Sequence, residues 1–122
     1  MIETELREAD GIVVAKAIGE ISKGDYETRL VPVLDEAIKA HGKVKILYWF
    51  GPEFEGFSGS AMWADMRLGM QHMKDIAKIA VVTDSNWLSG SIHAVSWMLP
   101  MPVEVFDNDK IGAANDWLVK DE

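Results

Sequence analysis

The sequence predicts an α/β fold in which helices cross over one mixed, mostly parallel sheet of four or five strands. Short apolar or alternating runs, typical of strands, alternate with stretches whose apolar residues recur at helical spacing. The order of elements is β-β-α-β-α-β-α-β-α, and the helical stretches are long enough to join parallel strands by right-handed crossovers. The chain has 122 residues, the usual length of one domain, so we expect a single unit over residues 1–122.

The first two strands are expected to form a hairpin. Residues 2–8 alternate between apolar and polar side chains, and residues 12–18 form a second strand. Ala9-Asp10-Gly11 supplies a tight turn between them, because Asp-Gly tolerates positive φ angles. The hairpin therefore adds an antiparallel edge to the sheet.

The first helix is predicted over about residues 24–40. Its apolar residues have helical spacing, Ser22 is placed as its N-cap, and Gly42 ends it as the C′ residue. Pro32 lies inside this stretch, so we expect it to kink the first turns or to mark the true start of the helix.

A continuous apolar run over residues 43–50 is typical of a strand that is covered on both faces. The glycines and aromatic residues that follow predict a loop over residues 51–59. Ser60 is placed to cap a helix over about residues 60–73, and residues 76–82 form a further buried strand.

The last elements are a helix over about residues 86–98, a short strand over residues 103–106 and a final helix. Asp107 or Asp109 is placed to cap this final helix. Its predicted inward-facing residues are Ile111, Ala114, Trp117 and Leu118.

The charge balance disfavours several classes of partner. Twenty acidic residues against twelve basic ones give a formal net charge of -8, which repels nucleic-acid phosphates and anionic lipid headgroups. No apolar run has the length of a membrane span, and the acidic start of the chain is unlike a signal peptide. The chain has no cysteine, which fits the cytoplasmic location that we expect.

Short groups of residues along the whole chain carry a family resemblance through their order and spacing. They are Asp10-Gly11, Tyr26, Val44-Lys45-Ile46-Leu47, Trp63-Ala64-Asp65, Ile79-Ala80-Val81-Val82 with Trp87, Val105-Phe106-Asp107, Ala114 and Trp117-Leu118. In these features the chain resembles the SpoIIAA-like (STAS-type) family of small bacterial domains, whose fold is distantly shared by CRAL-TRIO lipid-carrying domains. The resemblance implies strands in roughly sequential order. It also implies a binding or regulatory module and not an established enzyme.

One site of the superfamily is not matched. Its anti-sigma antagonists carry Asp-Ser-Ser-Gly or Asp-Ser-Thr-Gly after the third strand, and a kinase phosphorylates the serine. The matching residues 57–61 read Phe-Ser-Gly-Ser-Ala. Ser58 and Ser60 therefore have two interpretations. In the first, they form a phosphorylation or anion site at a helix N-terminus. In the second, Ser60 is simply an N-cap and Ser58 lines a loop.

The candidate ligand-binding residues are mostly apolar. Phe54 and Phe57 either offer apolar surface at the carboxyl end of a strand, where α/β sheets bind ligands, or fold into the core. A stripe of methionines on the second helix either lines a pocket or belongs to the core; it comprises Met62, Met66, Met70 and Met73. Trp87 and Trp97 bracket a helix that is apolar nearly all round, which favours a homodimer interface or a lipid pocket between this helix and the second one, which carries Trp63 and Met66. The alternative is a central helix that is enclosed by its neighbours.

The remaining titratable residues give little support for catalysis. His41, His72 and His93 do not cluster, so no metal or other cofactor is expected. The acidic residues near strand ends are interpreted as surface charge; they are Glu53, Glu55, Asp65 and Asp84.

The resulting hypothesis is a non-enzymatic regulatory or protein-interaction module that forms a homodimer and binds a protein partner. The alternative is a carrier or sensor that binds a lipid or another apolar small molecule. An enzyme using the acidic loop is the third hypothesis.

Overall fold

A computed structural model describes residues 1–7, 10–58, 73–84, 86, 89–90, 92–93 and 101–120. In this part of the chain, five strands form one sheet in sequential order; they are β1 (Ile2–Arg7), β2 (Ile12–Ile21), β3 (Val44–Phe57), β4 (Ile76–Thr83) and β5 (Val103–Phe106). β1 and β2 pair antiparallel, and every other pair is parallel. The predicted α/β class and the mixed, mostly parallel sheet are confirmed.

Each face of the sheet carries its own apolar cluster. Alternate residues of β3 belong to opposite clusters, with Ile46 and Phe50 on one face and Leu47 on the other. β4 divides in the same way between Val81 and Val82. This two-sided burial explains why both strands have nearly continuous apolar sequences, because a strand covered on both faces has no exposed polar side.

The first helical segment begins at Ser22 with a capping box. The Ser22 hydroxyl accepts a hydrogen bond from the Asp25 N–H at 3.3 Å, and the Asp25 carboxylate accepts one from the Ser22 N–H at 2.8 Å. The segment comprises α1 (Lys23–Asp25), a π-helical turn (Tyr26–Leu30) and α2 (Val31–His41). The predicted N-cap is confirmed, since the two residues satisfy each other's backbone donors.

The π-helical turn meets α2 beside Pro32. The N–H of Val31 donates to the carbonyl of Tyr26, five residues earlier, and Pro32 then occupies the first turn of α2. A proline cannot donate a backbone hydrogen bond, so the start of an α-helical segment is the place where it does least harm. Pro32 therefore marks the start of α2, although the helical backbone begins nine residues earlier, at Lys23.

One face of this segment covers the sheet. Its fully buried residues recur at helical spacing and pack against β1, β2 and β3; they are Tyr26, Leu30, Leu34 and Ala37. Gly42 ends α2 with a φ angle of 79°, which a residue with a side chain rarely adopts.

The predicted loop over residues 51–59 is wrong, because β3 continues to Phe57. β2 also runs past its predicted end, and its last residues pair with this part of β3. Gly19 pairs with Phe54, and Ile21 pairs with Phe57, with register shifts between Ala17 and Glu20. Glycine and proline predicted a loop here. Both are tolerated because this stretch has a strand neighbour on one side only among the described residues.

The last strand leads into a short 3₁₀ turn (Asn108–Lys110) and then α3 (Ile111–Val119). Asp107 has the extended backbone of an N-cap, but its side chain makes no capping hydrogen bond, so the predicted cap is wrong. The same holds at the start of α3, where Lys110 occupies the N-cap position without a side-chain bond. Ala114 and Leu118 are fully buried against the sheet, as predicted.

Lys78 anchors the carboxyl end of α3. Its side chain is only 3% exposed, and its Nζ donates to the carbonyls of Trp117 at 2.9 Å and Lys120 at 3.0 Å. The ammonium also lies over the Trp117 ring, 4.7 Å from the centroid. These carbonyls would have no intrahelical partner at a helix end, and the negative end of the helix dipole attracts a cation.

Some predicted elements lie wholly or partly outside the described residues. They include the helix over residues 60–73, apart from a 3₁₀ turn at Met73–Asp75. Of the helix over residues 86–98, the five described residues have helical backbone. Within the described part of the chain, none of the helices combines the length and the apolar character needed to cross a membrane.

The capping box makes part of the stability dependent on pH. The Ser22 N–H lowers the pKa of Asp25 from its ordinary value; burial opposes this, while the Ser22 hydroxyl and the amino group of Met1 add to it. Folding lowers this pKa, so the ionised carboxylate stabilises the fold above its unfolded-state pKa. The contribution is lost as the pH falls through the folded-state pKa.

We expect Asp25→Asn to lower the free energy of unfolding at neutral pH by roughly 1 kcal/mol, the usual value of a cap. Urea unfolding at several pH values between about 7 and about 3 measures this. The difference from wild type should shrink towards the acidic end. Asp116→Asn, which changes an exposed carboxylate on α3, is the control. Identical pH dependence in the wild type and Asp25→Asn would contradict the prediction.

We expect Lys78→Met to destabilise the protein by roughly 1–3 kcal/mol, because two carbonyls lose a charged donor. Methionine retains much of the buried apolar stem, so the loss reports the ammonium and not the packing. Amide hydrogen exchange should increase most in the last turn of α3. Lys74→Met, at an exposed lysine just before β4, is the control and should change neither quantity.

Candidate functional site

The carboxyl ends of β2, β3, β4 and β5 lie along one edge of the sheet, because these four strands are parallel. Ligands of open α/β sheets usually bind at this edge. Phe50 of β3 pairs with Thr83, the last residue of β4, so residues 51–57 run beyond β4. We call residues 51–57 the β3 extension.

A network centred on Asn108 holds the edge together beside the β3 extension. The Asn108 Oδ1 accepts a hydrogen bond from the Trp49 indole at 2.8 Å. Its Nδ2 donates to the carbonyl of Phe50 and to the Asp84 carboxylate, each at 3.1 Å. The Asn108 N–H donates to the other Asp84 oxygen at 2.9 Å. We call Trp49, Asp84 and Asn108 the Asn108 clip.

The Asn108 clip joins three elements that are distant in sequence. Trp49 belongs to β3, Asp84 follows β4, and Asn108 begins the 3₁₀ turn after β5. The Asn108 side chain also bonds the carbonyl of Phe50, the residue at which pairing between β3 and β4 ends. The clip therefore lies at the point where β3 stops pairing with β4.

An aromatic cluster covers one face of the β3 extension. Phe54 and Phe57 pack edge-to-face against Phe50, with ring centroids 4.8 and 5.6 Å away, and against each other at 5.1 Å. Tyr48 stacks on Phe50 at 4.5 Å, and its hydroxyl donates to the Tyr26 hydroxyl. Phe54 and Phe57 are half-buried, so their side chains help to hold the extension in place.

Charged residues lie on the opposite face of the β3 extension. Glu53 forms an ion pair with Lys16 of β2 at 3.1 Å, and the Lys16 ammonium lies 4.6 Å from the centre of the Trp49 ring. Glu53 and Glu55 are exposed, as is Glu20 on the adjoining part of β2. This face is therefore acidic, with Lys16 already paired.

The predicted site residues have different positions. Phe54 and Phe57 lie in the aromatic cluster, and Ser58 continues the strand pairing, since its N–H donates to the carbonyl of Ile21 at 2.8 Å. The other predicted site residues lie outside the described residues; they are Ser60, Trp63, Met66, Trp87 and Trp97. The predicted lipid pocket and dimer interface depend on those residues and stay predictions.

The acidic residues near the strand ends have different roles. Glu53, Glu55 and Asp84 are all exposed, as predicted for surface charges, and Asp84 also accepts two hydrogen bonds in the Asn108 clip. Asp65 lies outside the described residues. Within the described ranges, no three histidines or carboxylates lie close enough to form a group for a metal ion.

A family model described as SpoIIAA-like matches residues 12–119. The chain belongs to the SpoIIAA-like family. The resemblance predicted from the sequence, and with it the sequential strand order, is therefore confirmed.

One solved structure supports the same conclusion for this SpoIIAA-like chain. It is an uncharacterized protein of the DUF3478 family from Shewanella loihica, with a SpoIIAA-like fold. The two proteins are 27% identical, the match covers 97% of this chain and 92% of that one, and the TM-score is 0.75. No curated protein matches this chain.

Sequence reasoning missed Asn108, Trp49 and Lys16 as residues of this edge. Trp49 belongs to an apolar run, so nothing local distinguishes it from a core residue. Asn108 directly follows the carboxyl end of β5, and a polar residue at that place in a SpoIIAA-like sheet is the signal that was available.

We expect Asn108→Ala to destabilise the protein by roughly 1–3 kcal/mol, because Trp49, Asp84 and the carbonyl of Phe50 all lose a partner. Chemical denaturation measures this loss, and the Trp49 indole N–H resonance should shift in the same variant. Asp109→Ala, in the same turn, is the matched control, since Asp109 is exposed and outside the clip. Equal stability of the two variants would contradict the role of the clip.

Proposed function

We propose that this protein is a cytoplasmic, non-enzymatic STAS-type module that binds a protein partner at the carboxyl edge of its sheet. The β3 extension is the observation that carries the proposal. It projects seven residues beyond β4 and presents exposed side chains at Pro52, Glu53 and Glu55. Its family is generally non-enzymatic, and the SpoIIAA-like match covers the whole extension.

The polar side chains of this edge support a scaffold for binding. Asn108 bonds both Trp49 and Asp84, and Lys16 bonds Glu53, so each of these groups holds neighbouring elements in position. A surface that is already ordered loses little conformational entropy on binding. The edge is therefore suited to contact a partner without rearrangement.

Site-specific photo-cross-linking tests this proposal in the cells that naturally express the protein. A photoreactive phenylalanine analogue at position 55 lies on the exposed β3 extension, and the same group at position 36 lies on the exposed side of α2. We expect position 55 to yield a discrete adduct with one other protein. Position 36, the matched control, should yield none.

Two results would overturn the proposed function. The first is a set of adducts that is the same from both positions, because the carboxyl edge would then have no selective partner. The second is turnover of a small molecule by the purified protein that is lost in Asp84→Asn while the fold is retained. This second result would favour an enzyme that uses the acidic residues of the edge.

A further inference from the structure

We infer that the β3 extension binds a basic, extended segment of the partner protein by adding that segment to the sheet as a new strand. This inference rests on the proposed function and specifies the chemistry of the contact. It requires an unpaired strand edge, a rigid backbone and a charge pattern that selects the partner.

The β3 extension has a strand neighbour on one side only among the described residues. β2 pairs with it through Gly19, Glu20 and Ile21. On the other side, β4 ends at Thr83, and none of the described strands continues beyond that point. Among the described residues, this side of the extension therefore has backbone donors and acceptors without a strand partner, and an extended peptide satisfies such groups when it pairs with a strand edge.

The extension is held in an extended conformation before any partner arrives. Phe54 and Phe57 pack on one face, and the ion pair between Glu53 and Lys16 holds the other. The N–H of Ser58 bonds the carbonyl of Ile21 just past its end. Because this backbone is already ordered, most of the entropy loss on pairing comes from the incoming peptide.

Charge selects the kind of segment that fits. Glu53 and Glu55 are exposed on the extension, and Glu20 is exposed on the adjoining part of β2. Opposite charges on neighbouring strands stabilise a pair, whereas like charges directly opposite destabilise it. Lysine or arginine side chains at alternate positions of an incoming strand therefore complement this edge.

The same residues disfavour a second copy of this chain as the occupant. If two copies paired through their extensions, Glu53 and Glu55 of each would lie close to the glutamates of the other. Edge charges also protect proteins from aggregation, as does proline, and Pro52 is exposed here. If protection were their whole role, a basic strand would not bind.

The test uses a synthetic peptide of seven alternating lysine and valine residues with blocked ends. Titration into the isotope-labelled full chain is followed by amide chemical shifts. We expect saturable shifts at residues 19–21 and 51–58, and weaker binding at higher salt because the contact is exposed. Peptides with glutamate in place of lysine, or with alternate backbone amides methylated, should not bind.

The matched variants remove two charges each. E53Q/E55Q should weaken binding roughly fivefold, the expected effect of two exposed cross-strand charge pairs. E36Q/D116N removes the same charge from exposed positions on α2 and α3, so it should bind as wild type. Equal affinities of the two double variants would overturn the inference.

Other outcomes also decide between mechanisms. Binding of the methylated peptide with unchanged affinity would mean charge attraction without strand pairing. Self-association of E53Q/E55Q, with no peptide binding by wild type, would make a second copy the occupant. If position 55 cross-links a partner but no basic peptide shifts residues 51–58, the proposed function stands and strand addition is wrong.

Discussion

The bond from the Asn108 amide to the carbonyl of Phe50 determines how the carboxyl edge is built. Pairing between β3 and β4 ends at this carbonyl, and a side chain takes the place of the next strand neighbour. Beyond Phe50, β3 no longer pairs with β4, but it stays paired with β2 as far as Phe57. The exposed β3 extension, its acidic face and the proposed contact all depend on this change of neighbour.

The two ends of α3 are held by polar contacts from different strands. The Asn108 clip lies just before its start, and Lys78 bonds the carbonyls at its end. Between them, the Arg7 guanidinium of β1 donates to Asn115. α3 buries Ala114 and Leu118 completely and packs Ile111 and Trp117 against the same cluster, and the polar contacts add to this packing in positioning it on the sheet.

Local patterns determined what could be predicted from the sequence. Apolar periodicity located the strands, and Ser22 marked the first helix because its cap partner, Asp25, is only three residues away. The predicted end of β3 was wrong because Pro52 and the nearby glycines are local signals for a loop, whereas the pairing with β2 that extends the strand is a long-range interaction. The candidate site was missed for the same reason, because its residues interact across long distances in the sequence. The residues joined by the Trp49–Asn108 bond are 59 apart, and Lys78 bonds carbonyls 39 and 42 residues away.

The burial of Lys78 also gives the protein an internal chemical reporter. Every other lysine of the chain is at least partly accessible, so amine-reactive reagents modify those side chains in the folded state. The Lys78 ammonium is enclosed and bonded to two carbonyls, and a reagent reaches it only when the end of α3 lifts from the sheet. The rate at which this single amine is acylated therefore measures how often that helix end opens while the rest of the fold stays intact.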